Sequence, residues 1–135
     1  MFKVHHIALS VSNIEKSKNF YSIFWFEEKL YFQSENKDLE IVHLKMWDFL
    51  LELFCYKNFQ KMPETSKEIS TDLPIIWVKH FWLKVDDIEK SKIELEKLGI
   101  CEKISINTWR TKIKYFFIKD PDWILLEIVE DKRKF

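Results

Sequence analysis

The sequence predicts an α+β fold built from two copies of one βαβββ module, and three observations carry that expectation. The stretch HIALSVSNIEKSK at 6–18 returns as HFWLKVDDIEKSK at 80–92. Aligned at an offset of 74, positions 4–18 and 78–92 share nine identities, His6 with His80 among them. Each copy then ends in a similar apolar strand with one glutamate inside it, FLLELF at 49–54 and ILLEIV at 124–129. His6 to Glu52 spans 46 positions and His80 to Glu127 spans 47, so the chain duplicates a unit of about fifty residues.

The elements follow in the same order in both copies. The opening strand is VHHIALSV in one and VKHFWLKV in the other. A capping-box pattern starts each helix, Ser12 with Glu15 and Asp86 with Glu89. The helices are expected over 13–25 and 87–98, with Gly99 as a C-terminal stop. The middle strands are expected at KLYFQSE and LEIVHLKM in the first copy, and at CEKISIN and KIKYFFI in the second. KDPD at 119–122 turns into the last strand. The modules are thus bounded at 3–57 and 77–131. Between them lies a polar segment, 58–76, which holds two of the three prolines and is expected to be a linker.

Composition narrows the function. At 135 residues, 47% of them hydrophobic, the chain can bury one core or two shared half-cores. No apolar run approaches the roughly 20 residues of a membrane span, and the start lacks the pattern of a cleaved signal. Lys+Arg and Asp+Glu both count 22, which gives no sign of a nucleic-acid or membrane partner. Cys55 and Cys101 form neither a disulfide framework nor a zinc knuckle, and are expected to be small buried fillers. These features imply a soluble, cytoplasmic protein. With Gly99 as the only glycine, glycine-rich phosphate loops and dinucleotide fingerprints are excluded.

Side chains alternate across a strand, and that alternation locates the candidate site. Ile7, Leu9 and Val11 share an apolar face, as do Phe81, Leu83 and Val85; these should pack on the helices. The opposite face carries His6, Ala8 and Ser10 in one copy, and His80, Trp82 and Lys84 in the other. In the closing strands Glu52 shares its row with Leu50 and Phe54, and Glu127 shares its row with Leu125 and Val129. An ionised carboxylate in such a strand costs several kcal/mol unless a positive partner compensates it. Two histidines and two glutamates at matched positions supply that compensation if His6, Glu52, His80 and Glu127 converge on one metal ion. Imidazole nitrogen and carboxylate oxygen suit a borderline divalent ion such as nickel, cobalt, zinc, iron or manganese.

Other residues read more simply. His5 falls on the helix-packing face, and His43 lies mid-strand without a counterpart in the second copy, so both stay outside the ligand set. The repeated IEKSK reads as a solvated, capped helix face. Trp82, beside His80, is a candidate substrate wall. Ser10 and Lys84 share the candidate face, and Arg110, one of two arginines, stands near an expected turn where it could meet an anionic substrate.

The segments HHIALSVSNIEKSKNFY, LLELF, KHFWLKVDDIEKS and FFIKDPDWILLEIVED resemble the vicinal oxygen chelate superfamily over nearly the whole chain, and within it the glyoxalase I (lactoylglutathione lyase) branch. The resemblance implies two βαβββ modules whose eight strands curl into a cupped mixed sheet, with helices outside and a metal inside. His6, Glu52, His80 and Glu127 fall on the family's ligand positions one for one. Retention of all four distinguishes the chain from the extradiol dioxygenases, which hold iron without a carboxylate at the position of Glu52. It also separates the chain from bleomycin-binding members, which lack the ligands and only sequester a drug. The implied activity is a metal-dependent lyase or isomerase acting on a hemithioacetal or α-hydroxycarbonyl. Its proton transfer passes through a metal-bound enediolate, with Glu127 as base and Glu52 as the symmetric alternative. An antibiotic-binding protein of the same fold and an iron-dependent ring-cleaving enzyme are the alternatives. Family habit implies a homodimer and a small-molecule substrate. The chain departs from the family at Trp123, where glycine is typical. It also has Ser10 and Tyr56 where the glutathione-using members carry an arginine and an asparagine that help hold glutathione.

Overall fold

A computed structural model describes residues 1–134, which form two compact units, one over 1–61 and one from 62 onward. Each unit is a four-stranded mixed sheet with helices, so the eight expected strands are present as two sheets of four. No helix among the described residues is long and apolar enough to cross a membrane.

The first unit runs β1 (His6–Ser10), α1 (Ile14–Ser22), β2 (Glu27–Gln33), β3 (Leu39–Met46) and β4 (Phe49–Tyr56), in sheet order β1-β4-β3-β2. β1 lies parallel to β4 and the other pairings are antiparallel. The core is the helix-side row of that sheet, Val42, Leu44, Leu51 and Leu53, together with Ile14, Phe20 and Tyr21 of α1. Tyr21 packs edge-on against Phe20 and Phe26, each contact with ring centroids under the ~7 Å reach of aromatic pairs.

The second unit runs β5 (Phe81–Lys84), α3 (Ile88–Lys97), β6 (Asn107–Thr108), β7 (Lys114–Lys119) and β8 (Leu125–Glu130), in the matching order β5-β8-β7-β6. Phe81, Phe116, Ile118, Leu126 and Ile128 fill the helix side with Ile88 and Leu95 of α3. Glu130, buried on that side, accepts the Ile88 N–H at 3.1 Å and so ties the start of α3 to β8. The segment expected to be a linker carries a 3₁₀ turn (Glu64–Ser66) and a short helix α2 (Ile69–Asp72). Asp72 there is buried and takes a 2.8 Å hydrogen bond from Trp77 Nε1, with Lys79 Nζ 3.4 Å from its other oxygen. Burial opposes ionisation of Asp72, but donation from Trp77, Ser66 and Lys79 outweighs it and holds the carboxyl below its ordinary value.

Several expectations shift. The helix caps are Asn13 and Asp87, not Ser12 and Asp86: Asn13 Oδ1 accepts from Lys16 N at 2.9 Å and Asp87 Oδ1 from Lys90 N at 3.0 Å. The first helix stops at Ser22 rather than Trp25, because Trp25 takes φ +68 and turns the chain back. Trp25 stands 74 residues before Gly99, whose φ is +69, so both copies end their helix in a left-handed residue. CEKISIN does not form the expected strand. Ile104 N–H is captured by Glu96 Oε1 at 2.8 Å and Lys103 takes φ +53, which leaves only Asn107–Thr108 to pair with β7. Within IEKSK, Ile14, Ser17 and Ile88 are buried, so that face is not wholly solvated. Cys55 and Cys101 are half-buried rather than buried. His5 precedes β1 and is exposed, not packed against a helix.

Trp123, which stands where the resemblance implies glycine, has φ +70, a conformation that favours glycine. Asp120 Oδ1 holds the turn by accepting the N–H groups of Asp122 (2.8 Å) and Ile124 (2.9 Å). Lys67 and Lys119 stack their ammonium groups 5.3 and 4.8 Å from the Trp123 ring centre, which offsets part of the strain.

Candidate functional site

In each sheet the strand bearing the glutamate is central, flanked by a parallel and an antiparallel neighbour, so a side chain at its middle is reached from both sides. In the first unit Ala8 on β1 and His43 on β3 stand opposite Glu52. His6 Nε2 lies 3.4 Å from Glu52 Oε2, and His43 Nε2 lies 2.8 Å from Glu52 Oε1. Glu52 therefore sits between two imidazoles. His5 Nδ1 adds a 2.8 Å contact to His6 Nδ1.

The second unit repeats the His–Glu pairing with different cross-strand neighbours. Trp82 on β5 and Phe117 on β7 stand opposite Glu127. His80 Nε2 is 3.1 Å from Glu127 Oε2, and the imidazole meets Phe117 edge to face with centroids 5.0 Å apart. Where the first unit has His43, the second has Phe117. His80 Nδ1 is buried and lacks a hydrogen-bond partner among the described residues, so the protein alone does not satisfy this ring. Histidine and glutamate are thus adjacent within each unit. Among the described residues, no group of three or more metal-ligating side chains is arranged to hold a metal ion.

A cavity of about 620 Å³ opens on this face of the second unit. His80 and Glu127 line it together with Trp82, Trp109, Tyr115 and Phe117. Ile69 and Leu73, from and beside α2, also line it, so the supposed linker contributes wall. Arg133 lines the cavity as well and forks onto Asp131, with Nε to Oδ1 at 2.9 Å and Nη2 to Oδ2 at 2.8 Å. This pair, assisted by the Arg133 backbone N–H and the field of Lys84, holds the Asp131 carboxyl at about 2.

Of the expected substrate-side residues, Trp82 lines the cavity and is 63% exposed. Lys84, exposed at the end of β5, contributes through its charge near Asp131. Ser10 is exposed at the end of β1. Arg110 is exposed in the turn between β6 and β7, and the arginine in the cavity wall is Arg133. Sequence reading left His43 outside the candidate set for want of a counterpart and passed over Arg133. The connection between β3 and β4 is only Trp47 and Asp48. A hairpin that tight fixes register, and counting back from Met46 opposite Phe49 brings His43 opposite Glu52. Arg133 lies beyond the last strand, where alternation has no purchase.

Two βαβββ units, each with a histidine beside a glutamate on the sheet face away from its helices, define a recognisable class. The chain belongs to the Glyoxalase/Bleomycin resistance protein/Dioxygenase superfamily, which its residues 3–128 match. A glyoxalase family protein from Enterococcus faecalis is 29% identical, with 95% of this chain and 97% of that one covered and a TM-score of 0.77. SMU.1112c is 31% identical over 96% and 99% of the two chains, with a TM-score of 0.76. The uncharacterized protein YaeR of Escherichia coli K12 is 26% identical over 95% of each chain. Two more distant structures share the fold: glyoxalase I of Leishmania major (16% identical, TM-score 0.70, covering 98% and 88%) and FosX of Listeria monocytogenes complexed with Mn(II) and sulfate (13%, 0.67, covering 98% and 94%).

Proposed function

We propose that this protein is a divalent-metal-dependent lyase or isomerase of the glyoxalase I type, moving a proton between adjacent carbons of a hemithioacetal or α-hydroxycarbonyl. The observation that carries the reading is the paired His–Glu arrangement, repeated at equivalent strand positions in both units. The donor chemistry fits a cation. Each carboxylate lies in an otherwise apolar strand row, each faces an imidazole nitrogen, and His80 keeps a buried ring nitrogen without a partner among the described residues. His6, Glu52, His80 and Glu127 would hold the ion, one per site, either within a chain or across a homodimer. The likeness to FosX with Mn(II) and to glyoxalase I lends support at the level of the fold.

When bound, such an ion supplies Lewis acidity to two neighbouring substrate oxygens. The chain supplies the proton traffic. Glu127 accepts the carbon-bound proton at a carboxylate oxygen and returns it to the adjacent carbon. Phe117 and Trp82 stand opposite Glu127 on its two neighbouring strands. Glu52 suits the fixed role, because His43 and His6 both restrain it. Ser10 and Tyr56 do not supply the arginine and asparagine contacts of glutathione-using relatives, so the thiol partner is left to assay.

The test begins with elemental analysis of natively purified protein and a methylglyoxal assay with several thiols after loading with Ni, Co, Zn, Mn or Fe. Glu127→Gln is expected to keep its metal and lose roughly 10²–10⁴-fold in turnover, the usual contribution of a general base. Full turnover with normal metal content would remove Glu127 from its role. Size-exclusion chromatography with light scattering reads the dimer.

A further inference from the structure

The structure carries a substrate class for this cavity, an inference that rests on the proposed chemistry only at its oxygen-binding end. We propose that the cavity of the second unit selects an aryl α-hydroxycarbonyl, with its ring held on the aromatic wall and its vicinal oxygens presented to His80 and Glu127.

The wall is a continuous chain of rings. Trp109 meets Tyr115 with centroids 5.7 Å apart at 83°, and Tyr115 meets Phe117 at 5.6 Å and 74°. Phe117 meets His80 at 5.0 Å and 81°. Each ring braces the next edge-on, so the wall runs without a break from Trp109 to His80, beside Glu127. Edge-to-face bracing fixes these rings before any ligand arrives, which lowers the ordering cost of binding. Trp82 and Trp109 line the cavity and remain 63% and 48% exposed, so indole surface is available there to a ligand. Ile69, Leu73, Ile113 and Val129 add apolar lining.

Charge in the wall points the same way. Arg133 and Asp131 both line the cavity and neutralise each other through two parallel hydrogen bonds. The low pKa of Asp131 keeps that pair ionised across neutral pH. The pair carries no net charge, so it offers a carboxylate-rich tail no excess positive charge. A flat, uncharged ring gains from the wall at once. The volume of about 620 Å³ lies within the range of small-molecule sites.

The test uses the full chain and two probes with the same oxygens, 2-hydroxyacetophenone and hydroxyacetone, titrated by calorimetry into protein as purified and into chelator-treated protein. Ring recognition predicts that the aryl probe binds at least about tenfold tighter in both preparations. Trp82→Ala and Trp109→Ala should each weaken it by about fivefold, the scale of one lost aromatic contact. Trp47→Ala, altering an 89% exposed indole of the first unit, should leave it unchanged. Because the altered tryptophans are largely exposed, unchanged circular dichroism and melting would confirm that the variants fold.

Equal affinity for the two probes, or aryl binding indifferent to both Trp82→Ala and Trp109→Ala, overturns the proposal. These results separate from the lyase reading. Turnover of methylglyoxal adducts without aryl preference refutes this inference alone, whereas aryl binding without metal or turnover refutes that reading alone.

Discussion

The matched pair Trp25 and Gly99 allows a backbone cost to be measured twice in one molecule. Both follow a helix in the same position of the repeat, with φ +68 and +69. A residue with a Cβ in this region costs about 1–2 kcal/mol, while glycine forfeits roughly 0.5–1 kcal/mol of unfolded-state entropy. Alanine should therefore be worse than glycine by about 1 kcal/mol at either position, the reverse of their order inside a helix. Nothing lies within 4 Å of a Cβ built on Gly99, so Gly99→Ala carries the conformational cost without a clash. At position 25 the indole is 82% exposed. Its covered fifth, roughly 30–50 Å² of a large ring, is worth about 1 kcal/mol at ~25 cal/mol per Å². Trp25→Gly loses that area but relieves the backbone and should be close to neutral, whereas Trp25→Ala should lose about 1 kcal/mol more. Urea unfolding of the four proteins reads these differences directly, and Tm should separate the glycine and alanine forms by roughly 3–6 °C. If Trp25→Ala proves as stable as Trp25→Gly, or Gly99→Ala is neutral, left-handed strain is not what these positions share.

Three further outcomes are expected. The Ser17 hydroxyl is fully buried in α1 without a hydrogen-bond partner among the described residues, so Ser17→Ala should raise stability by about 1 kcal/mol, seen as a higher urea midpoint at unchanged m. His43→Phe copies the second unit into the first and removes the 2.8 Å bond to Glu52; it should cost about 1–2 kcal/mol by the same measurement. Asp131 has a folded pKa of about 2 against an ordinary 3.8, a depressed value, so its contribution is complete above 3.8 and fades as pH falls toward 2. Acid titration of Asp131→Asn should therefore converge on the parent protein near pH 2 and diverge above pH 4.

How much of this was legible before any coordinates depends on the range over which each residue acts. Alternation within a strand is a local rule, and it correctly assigned the rows of β4 and β8, including buried Leu51, Leu53, Leu126 and Ile128. The duplication was visible because both copies retain their cap-and-helix words. The failures came where a distant or irregular partner decided the outcome. Glu96 captured Ile104 N–H, and of the plausible strand 101–107 only Asn107 pairs with β7. Asp72, in a polar stretch that reads as linker, gathers Trp77 and Lys79 and draws that stretch into the second unit. The caps moved by one residue because Asn13 and Asp87 could reach the third N–H ahead while their predecessors remained outside the helix.

The same distinction bears on the two glutamates. By sequence they are equivalent, each in a matched strand after a matched histidine. Cross-strand register makes them unequal, since β3 sets an imidazole opposite Glu52 and β7 sets a phenyl ring opposite Glu127. A carboxylate hydrogen-bonded from two sides loses freedom to turn, while one bonded on a single side and flanked by an apolar ring keeps it. Duplication first makes two alike carboxylates; under the proposed mechanism, the divergence of His43 against Phe117 would divide a holding role from a moving one. Restoring the symmetry should blur that division. In the double variant His43→Phe with Glu127→Gln, Glu52 gains the freedom that His43 denied it, so turnover should exceed that of Glu127→Gln alone. A double variant no faster than the single one would mean that the hydrogen bond from His43 does not set the roles of the two carboxylates.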